Sequence, residues 1–157
     1  MDSQFRYARR EDVPLILHFI RQLAEYEKMA ADVVADEKLL EQWLFDRELA
    51  QVIFALEGEK EVGFALYFYN FSTFLGRAGL YLEDLFVLPP YRGKGYGKAL
   101  IRKLAAIALE HGCGRMEWSC LDWNRPSIDF YLSLGAEPMS QWTVYRVAGD
   151  SLAALAE

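Results

Sequence analysis

The chain has 157 residues, of which 53% are hydrophobic and 15% aromatic. This composition excludes intrinsic disorder and predicts one domain, residues 1–157, with a proper core. The formal net charge of −6 argues against a nucleic-acid binder, because such proteins need a basic surface to neutralise phosphates. Charges interrupt every apolar run well short of a membrane span, so no membrane partner is expected.

Cysteine usage and the N-terminus both favour the cytoplasm. Cys113 and Cys120 form no metal-ligand spacing with each other or with the two histidines, so no metal site is predicted. They are interpreted as reduced, structural thiols. The first residues, MDSQFRYARRED, contain no apolar signal core.

The N-terminal half is predicted to contain two helices followed by a β-hairpin. A short strand, FRYARR, precedes a helix over residues 11–28, in which the apolar residues recur with helical period. A second helix is predicted at residues 36–46. The stretch QVIFALEGEKEVGFALYFYN predicts two strands joined by a tight turn at residues 58–60.

The second half alternates strands and helices. A long strand, AGLYLEDLFVLP, is followed by the glycine-rich stretch YRGKGYGKAL and a helix over residues 97–111. The strand RMEWSCLDW then precedes a helix, NRPSIDFYLSLG, with an Asn cap and a Gly stop. The last predicted elements are a strand, QWTVYRV, and a short helix, GDSLAALAE. This alternation implies an α/β sheet with at least one parallel pair.

The glycine-rich loop lies between the end of a strand and the start of a helix. At that place, backbone N–H groups without intrahelical partners lie beside the positive end of the helix dipole. Glycines allow a phosphate to approach the backbone, so an anion-binding turn is predicted. A flexible connector is the alternative interpretation.

Two familiar phosphate loops do not fit this stretch. A nucleoside-triphosphate loop ends in Gly-Lys-Ser/Thr, whereas Ala99 follows Lys98 here. The dinucleotide pattern G-x-G-x-x-G would need a third glycine at Lys98. The remaining pattern is Arg92-x-x-Gly95-x-Gly97.

This pattern, directly after the strand EDLFV, resembles the acetyl-CoA pyrophosphate loop of the GNAT N-acetyltransferase superfamily. The segment LDWNRPSIDFYLSLGA resembles the part in which that superfamily places its CoA-contacting Asn and its catalytic Tyr. The resemblance implies the GNAT fold, an α/β fold with a central mixed, mostly antiparallel sheet that is splayed at the cofactor site and flanked by helices.

Two further segments, LAEYEKM and LYLEDLFV, resemble the diamine N-acetyltransferase branch, which includes the spermidine/spermine and the thialysine acetyltransferases. The resemblance implies acetyl-CoA as co-substrate, a small-molecule amine as acceptor, and a homodimer. The implied cofactor-binding residues are the backbone of Leu85, Phe86 and Val87, the loop residues Arg92, Gly93, Lys94, Gly95, Tyr96, Gly97 and Lys98, and Asn124, Ser127 and Tyr131.

The implied chemistry is direct attack of a primary amine on the thioester. An alkylammonium group has a pKa of about 10.4, so it must lose a proton before it can attack. The resemblance assigns Glu83 as the base acting through water, and Tyr131 as the acid that protonates the departing thiolate. The alternative interpretations are a solvated or salt-bridged strand carboxylate for Glu83 and a core aromatic for Tyr131. Cys120 could carry the acetyl group in a ping-pong route, but no neighbour in sequence lowers its pKa.

The implied amine-binding residues lie on two segments. Glu25, Tyr26 and Glu27 resemble the acidic and aromatic segment of the family, although a solvated helix end is the alternative. Asp84 is expected to point to the opposite face from Glu83 by strand alternation. Asp84 is therefore assigned to substrate attraction or to structure.

The loop FSTFLGR bears on the choice of amine. Ser72 and Thr73 stand where the polyamine enzymes carry an acidic residue and a proline, and Phe74 stands in place of a tryptophan. Ser-Thr resembles the thialysine-acetylating members, and a hydroxyl can bind an amino-acid head group. Ser72 is therefore predicted to bind substrate, with thialysine-like or other short amines favoured over spermine. A polyamine acetyltransferase and a non-catalytic acyl-CoA-binding sensor are the alternatives.

Overall fold

The computed structural model describes residues 4–157. These residues divide into two compact units, which are described separately: the first extends to Ser119 and the second is Cys120–Glu157. A single domain over residues 1–157 stays a prediction.

The first unit is built on a five-stranded sheet in the order β1-β2-β3-β4-β5. Neighbours run antiparallel from β1 to β4, and β5 runs parallel to β4. This confirms the predicted mixed, mostly antiparallel α/β sheet. The strands are β1 Gln4–Tyr7, β2 Gln51–Glu57, β3 Lys60–Ser72, β4 Arg77–Val87 and β5 Met116–Trp118.

Three helices accompany this sheet. They are α1 Val13–Tyr26, α2 Glu37–Glu41, which continues as a π turn over Gln42–Asp46, and α3 Tyr96–Glu110. The first predicted helix is shorter than expected, since a 3₁₀ turn occupies Arg10–Asp12 and Lys28 has a φ of +62°. A left-handed residue cannot continue a right-handed helix, so α1 ends at Tyr26.

The core of the first unit is rich in aromatic rings. Phe54, Phe64 and Phe86 come from β2, β3 and β4, and they pack against Ile16 and Phe19 of α1. The rings of Phe19 and Phe64 stack with centroids 5.0 Å apart. Because alternate residues of a strand face opposite sides of a sheet, the other face is left for α3. That helix buries Leu100, Leu104 and Ile107.

The second unit contains α4 Arg125–Ser133 and α5 Asp150–Leu155. The predicted cap and stop of α4 are both present: Asn124 Oδ1 accepts from the Ser127 N–H at 3.5 Å, and Gly135 has a φ of +89°. None of the helices within residues 4–157 is long and apolar enough to cross a membrane.

Two strand predictions near the C-terminus were wrong in part or in full. The predicted strand RMEWSCLDW forms only at Met116–Trp118, where it pairs with β4. The predicted strand QWTVYRV does not form, and Val144 and Tyr145 are 81% and 91% exposed. Alternating β-branched and aromatic residues favour a strand only where a neighbouring strand supplies hydrogen bonds, and none pairs with this segment.

Candidate active site

The open edge of β4 is the first feature of the candidate site. The ladder between β4 and β5 ends where Leu82 pairs with Trp118, whereas β4 continues to Val87 with β3 as its only partner in the strand register of residues 4–157. The sheet is therefore splayed at this point, as the sequence predicted. The backbone groups on the far side of β4 are left for a bound molecule, except the Val87 carbonyl, which accepts from Arg92 Nε.

The alternation of hydrogen-bonded and non-bonded residue pairs between β3 and β4 shows which backbone groups of β4 face that edge. The N–H of Leu88 donates to the carbonyl of Val62 at 2.9 Å. In an antiparallel pair, bonded and non-bonded residues alternate, so Phe86 faces β3 while Leu85 and Val87 face the open edge. Of the three residues predicted to bind pantetheine through the backbone, Leu85 and Val87 have the required orientation. Phe86 instead contributes its side chain to the core.

A β-bulge in β4 carries the predicted base. Tyr67 pairs with Leu82 and Leu66 pairs with Asp84, so Glu83 is the extra residue between them. Simple strand alternation does not hold across a bulge. The expectation that alternation turns Asp84 away from Glu83 therefore loses its basis in this structure.

Glu27, Glu83 and Asp84 form a carboxylate group at this bulge. Burial, and after it the negative charges of Glu83 and Glu27, raise the pKa of Asp84 to about 7. Burial also raises the pKa of Glu27, which follows the last residue of α1. Glu83 is exposed. Carboxylates so placed repel one another, and a cation between them would relieve that repulsion.

The end of α1 contributes unequally to this site. Tyr26 lies against Phe86, with ring centroids 6.3 Å apart, and Glu27 is half-buried. Glu25 is exposed. The structure thus brings Tyr26 and Glu27 to β4 as predicted, while Glu25 stays at the surface.

The glycine loop ends in a left-handed residue that begins α3. Gly95 is the N-cap of the helix with a φ of +90°, and a Cβ built on it meets nothing within 4 Å. The N–H of Ala99 donates to the carbonyl of Gly95, so the N–H groups before it in the first turn have no intrahelical partner. Gly97, in contrast, has no left-handed φ and has room for a side chain.

The Arg92 side chain contacts the end of β4 and the end of α1. Its Nε donates to the carbonyl of Val87 at 2.9 Å, and its guanidinium lies 5.0 Å from the Tyr26 ring centroid and 4.9 Å from that of Phe86. It therefore connects the loop to the end of β4 and to α1. Its predicted role in binding the cofactor stays a prediction.

Tyr96 was predicted as a loop residue that binds cofactor, but its side chain points inward. It is buried, and its hydroxyl donates to Glu57 Oε2 at 2.7 Å. Lys94 Nζ lies 3.6 Å from the same oxygen. Sequence analysis missed Glu57, since its position beside the loop depends on how the β2–β3 turn packs.

Ser72 is not part of the carboxylate group. It is buried at the end of β3, where its Oγ accepts from the Leu75 N–H at 3.2 Å. Its register partner, Arg77, lies seven residues before Asp84 on β4, a separation of about 23 Å at roughly 3.3 Å per residue. Within the chain, Ser72 stabilises the turn and lies far from Asp84, and its predicted role in binding an amine stays a prediction.

The remaining predicted residues lie in the second unit. Asn124 is buried and caps α4, Ser127 supplies the N–H that it binds, and Tyr131 is half-buried on the same helix. The Tyr131 ring lies against that of Phe130, with centroids 5.5 Å apart. Among residues 4–157, no three His, Cys, Asp or Glu side chains are grouped to hold a metal.

Comparison with known proteins identifies the family. The sequence pattern of the acetyltransferase (GNAT) family matches residues 17–136. The chain belongs to the GNAT acetyltransferase family. It is an acyltransferase, and acetyl-CoA is the co-substrate of that family. The match includes the open edge of β4, the glycine loop and α4.

Three similar proteins align with nearly the whole length of this chain. The chain is 37% identical to a thialysine N-epsilon-acetyltransferase of Bos taurus, over 96% of this chain and 95% of that one. It is 32% identical to the L-ornithine N5-acetyltransferase NATA1 of Arabidopsis thaliana, over 99% and 88%. An integron cassette protein from the mobile metagenome of V. cholerae has a TM-score of 0.82 at 32% identity, over 100% and 99%.

Proposed function

We propose that this chain transfers the acetyl group of acetyl-CoA to a primary amine of a small molecule by direct attack. The observation that carries this proposal is the carboxylate group of Glu27, Glu83 and Asp84 at the bulge of β4. Two of its members, Glu83 and Asp84, lie on the same strand as the open edge at Leu85 and Val87. A thioester held along that edge and an ammonium group held at the bulge would be neighbours on one strand.

The proton of the ammonium group has to leave before nitrogen can attack. We assign Glu83 as the acceptor, through a water molecule, because it is the exposed carboxylate of the group and solvent reaches it. Asp84 is the partner that titrates near pH 7. Its ionisation above that pH adds a negative charge where the ammonium group binds.

The leaving thiolate takes its proton at the end of the reaction. We assign this step to the hydroxyl of Tyr131, on α4 of the second unit. The amine nitrogen forms a bond to the carbonyl carbon, the carbon–sulfur bond breaks, and the sulfur receives the tyrosine proton. The nitrogen then releases its surplus proton, which restores the tyrosine hydroxyl and leaves the neutral amide. Asn124 and Ser127 are proposed to bind the pantetheine chain of the same co-substrate. The cap that they form fixes the start of that helix.

A short amine that is part of an amino acid is the proposed acceptor. Thialysine and ornithine, named for two of the relatives, each end in a primary amine. A group of carboxylates that act on one another suits one ammonium group, whereas a long polyamine needs carboxylates spread along a channel. Each exposed contact of that kind contributes about 1 kcal/mol or less.

The test is turnover of acetyl-CoA with a panel of amines, followed by release of free thiol. Thialysine and ornithine are expected to be acetylated, with Asp84→Asn raising the Michaelis constant for the amine at pH 8 and leaving that for acetyl-CoA within twofold. Asp32→Asn, an exposed aspartate in a 3₁₀ turn, is the control. No thiol release with any amine would contradict the proposal.

A homodimer in the cytoplasm is also proposed. Phe71 and Phe74 at the β3–β4 turn are 62% and 101% exposed, and Trp142 in the second unit is 78% exposed. Exposed aromatic groups of this kind are typical of protein interfaces. Light scattering is expected to give a dimer mass, and Phe74→Ser to shift it toward a monomer. A monomer at all concentrations would contradict the proposal.

A further inference from the structure

Two lysines converge on one tyrosine beside the glycine loop. Lys60 Nζ lies 5.1 Å from the centroid of the Tyr91 ring, and Lys94 Nζ lies 5.4 Å from it. Lys60 begins β3, where it pairs with Glu57 across the β2–β3 turn. Lys94 belongs to the loop. Residues far apart in sequence thus place two ammonium groups beside the glycine loop.

A hydrogen bond from the buried Tyr96 side chain holds together the segments that carry the two lysines. The Tyr96 hydroxyl donates to Glu57 Oε2 at 2.7 Å, which ties the first residue of α3 to the end of β2. This bond is the main cause that raises the pKa of Tyr96 to about 12, so the hydroxyl keeps its proton and stays a donor. The β2–β3 turn that carries Lys60 is therefore fixed relative to the start of α3.

The local charge balance is positive in a chain with a net charge of −6. Lys60 and Lys94 contribute two positive charges, and Glu57, 3.6 Å from Lys94, contributes one negative charge. The other nearby cation, Arg92, is turned toward Val87 and does not join this cluster. Both ammonium groups lie beside one ring, so an anion of high charge near that ring would be attracted by both.

We infer that Lys60 and Lys94 bind the 3′-phosphate of coenzyme A. This inference rests on the proposed use of acetyl-CoA and adds a subsite to it. A phosphate monoester carries close to two negative charges at pH 7 and suits two compact ammonium groups. The pyrophosphate carries one charge on each phosphorus and suits the N–H groups at the start of α3.

The subsite gives Lys60 a role in choosing the co-substrate. Acetyl-CoA and its 3′-dephospho form share the thioester, the pantetheine chain and the pyrophosphate. They differ only in the 3′-phosphate monoester, to which the two lysines bind in this proposal. The discrimination between the two forms is thus shared by Lys60 of the β2–β3 turn and Lys94 of the glycine loop.

Calorimetry with coenzyme A and 3′-dephospho-coenzyme A tests this inference on the native chain and on Lys60→Ala. The native chain is expected to bind coenzyme A at least fivefold more tightly, and this advantage is expected to shrink as salt is raised. Lys60→Ala is expected to lose most of the advantage while its affinity for the dephospho form changes less than twofold. Lys38→Ala, an exposed lysine on α2, is expected to match the native chain.

The outcomes separate this inference from the proposed function. Equal binding of both ligands by the native chain would overturn the subsite alone, as would a Lys60→Ala variant that weakens both ligands equally. Lys94→Ala gives a second, independent variant that is expected to lose the same advantage. No binding of either ligand by the native chain would instead overturn the use of acetyl-CoA.

Discussion

Glu83 has no partner in the register between β3 and β4, whereas Asp84, directly after it, pairs with Leu66. The bulge therefore places two consecutive carboxylates in different settings, one exposed and one half-buried. Burial and the neighbouring charges of Glu83 and Glu27 raise the pKa of Asp84 to about 7. Two carboxylates with separated environments can serve two roles in one reaction.

Glu83→Gln is expected to lower the maximal rate by at least about tenfold, because the ammonium proton loses its acceptor. The rise of the rate between neutral and alkaline pH is also expected to flatten. Steady-state rates from pH 6 to 9 check both effects, with Glu37→Gln, at an exposed carboxylate of α2, as the control. A pH–rate profile identical to that of the native chain would falsify the assignment of Glu83 as the base.

Asp84→Asn is expected to change how stability depends on pH. The ordinary pKa of the group is 3.8 and that in the folded chain is about 7. Between these values the folded chain holds a proton that the unfolded chain has released, so the free energy of unfolding falls as pH rises. The Asn variant does not titrate. Its gain in stability over the native chain is expected to grow by about 1 to 3 kcal/mol between pH 5 and pH 8.

Urea unfolding at the two pH values measures that gain. Asp32→Asn is the matched control, since its side chain is exposed in a 3₁₀ turn. An Asp84→Asn variant whose stability follows that of the native chain at both pH values would show that the group ionises normally. A gain in stability with loss of amine binding is the trade-off expected at a functional site.

Gly95→Val is expected to raise the Michaelis constant for acetyl-CoA at least about tenfold. A Cβ there would stand in the space that a phosphate needs, and a φ of +90° is strained for valine. Gly76→Val is the matched control, because Gly76 also has a positive φ and open space but lies in the β3–β4 turn. It is expected to lose about 1 to 2 kcal/mol of stability with a normal Michaelis constant. A folded Gly95→Val variant with native affinity for coenzyme A would make the loop a connector only.

Local patterns in the sequence predicted most of the fold. The helical period of α1 and α3, the turn at Gly58 and the cap and stop of α4 all depend on neighbours in sequence. The bulge at Glu83 was not predicted. The apolar pattern of the strand is otherwise continuous, so the sequence contains no signal for an extra residue in the ladder.

The unpredicted parts of the site depend on contacts between distant segments. The pairing of Arg92 with Val87, the bond between Tyr96 and Glu57, and the approach of Lys60 to Tyr91 each need the tertiary fold. The predicted final strand fails for the same reason, because strand propensity without a neighbour does not make a ladder.

Tyr131→Phe is expected to lower the maximal rate by roughly ten- to a thousandfold, because the departing thiolate loses its proton donor. The affinity for coenzyme A is expected to stay within a few fold. Tyr145→Phe, at a 91% exposed tyrosine of the same unit, is the control. A Tyr131→Phe variant that unfolds would support a core role for this ring, and one with native activity would exclude it as the acid.

Short amines are expected to be better substrates than spermine. The charges of Glu83 and Glu27 both act on Asp84, and these three carboxylates can neutralise one ammonium group but not several that lie far apart. By the resemblance, Ser72 stands where the polyamine enzymes carry an acidic residue. Its side chain is buried, and its Oγ accepts from the Leu75 N–H. The measurement is catalytic efficiency for thialysine, ornithine, spermidine and spermine side by side at saturating acetyl-CoA. Thialysine or ornithine is expected to lead, and spermine ahead of every short amine by tenfold or more would return the chain to the polyamine enzymes.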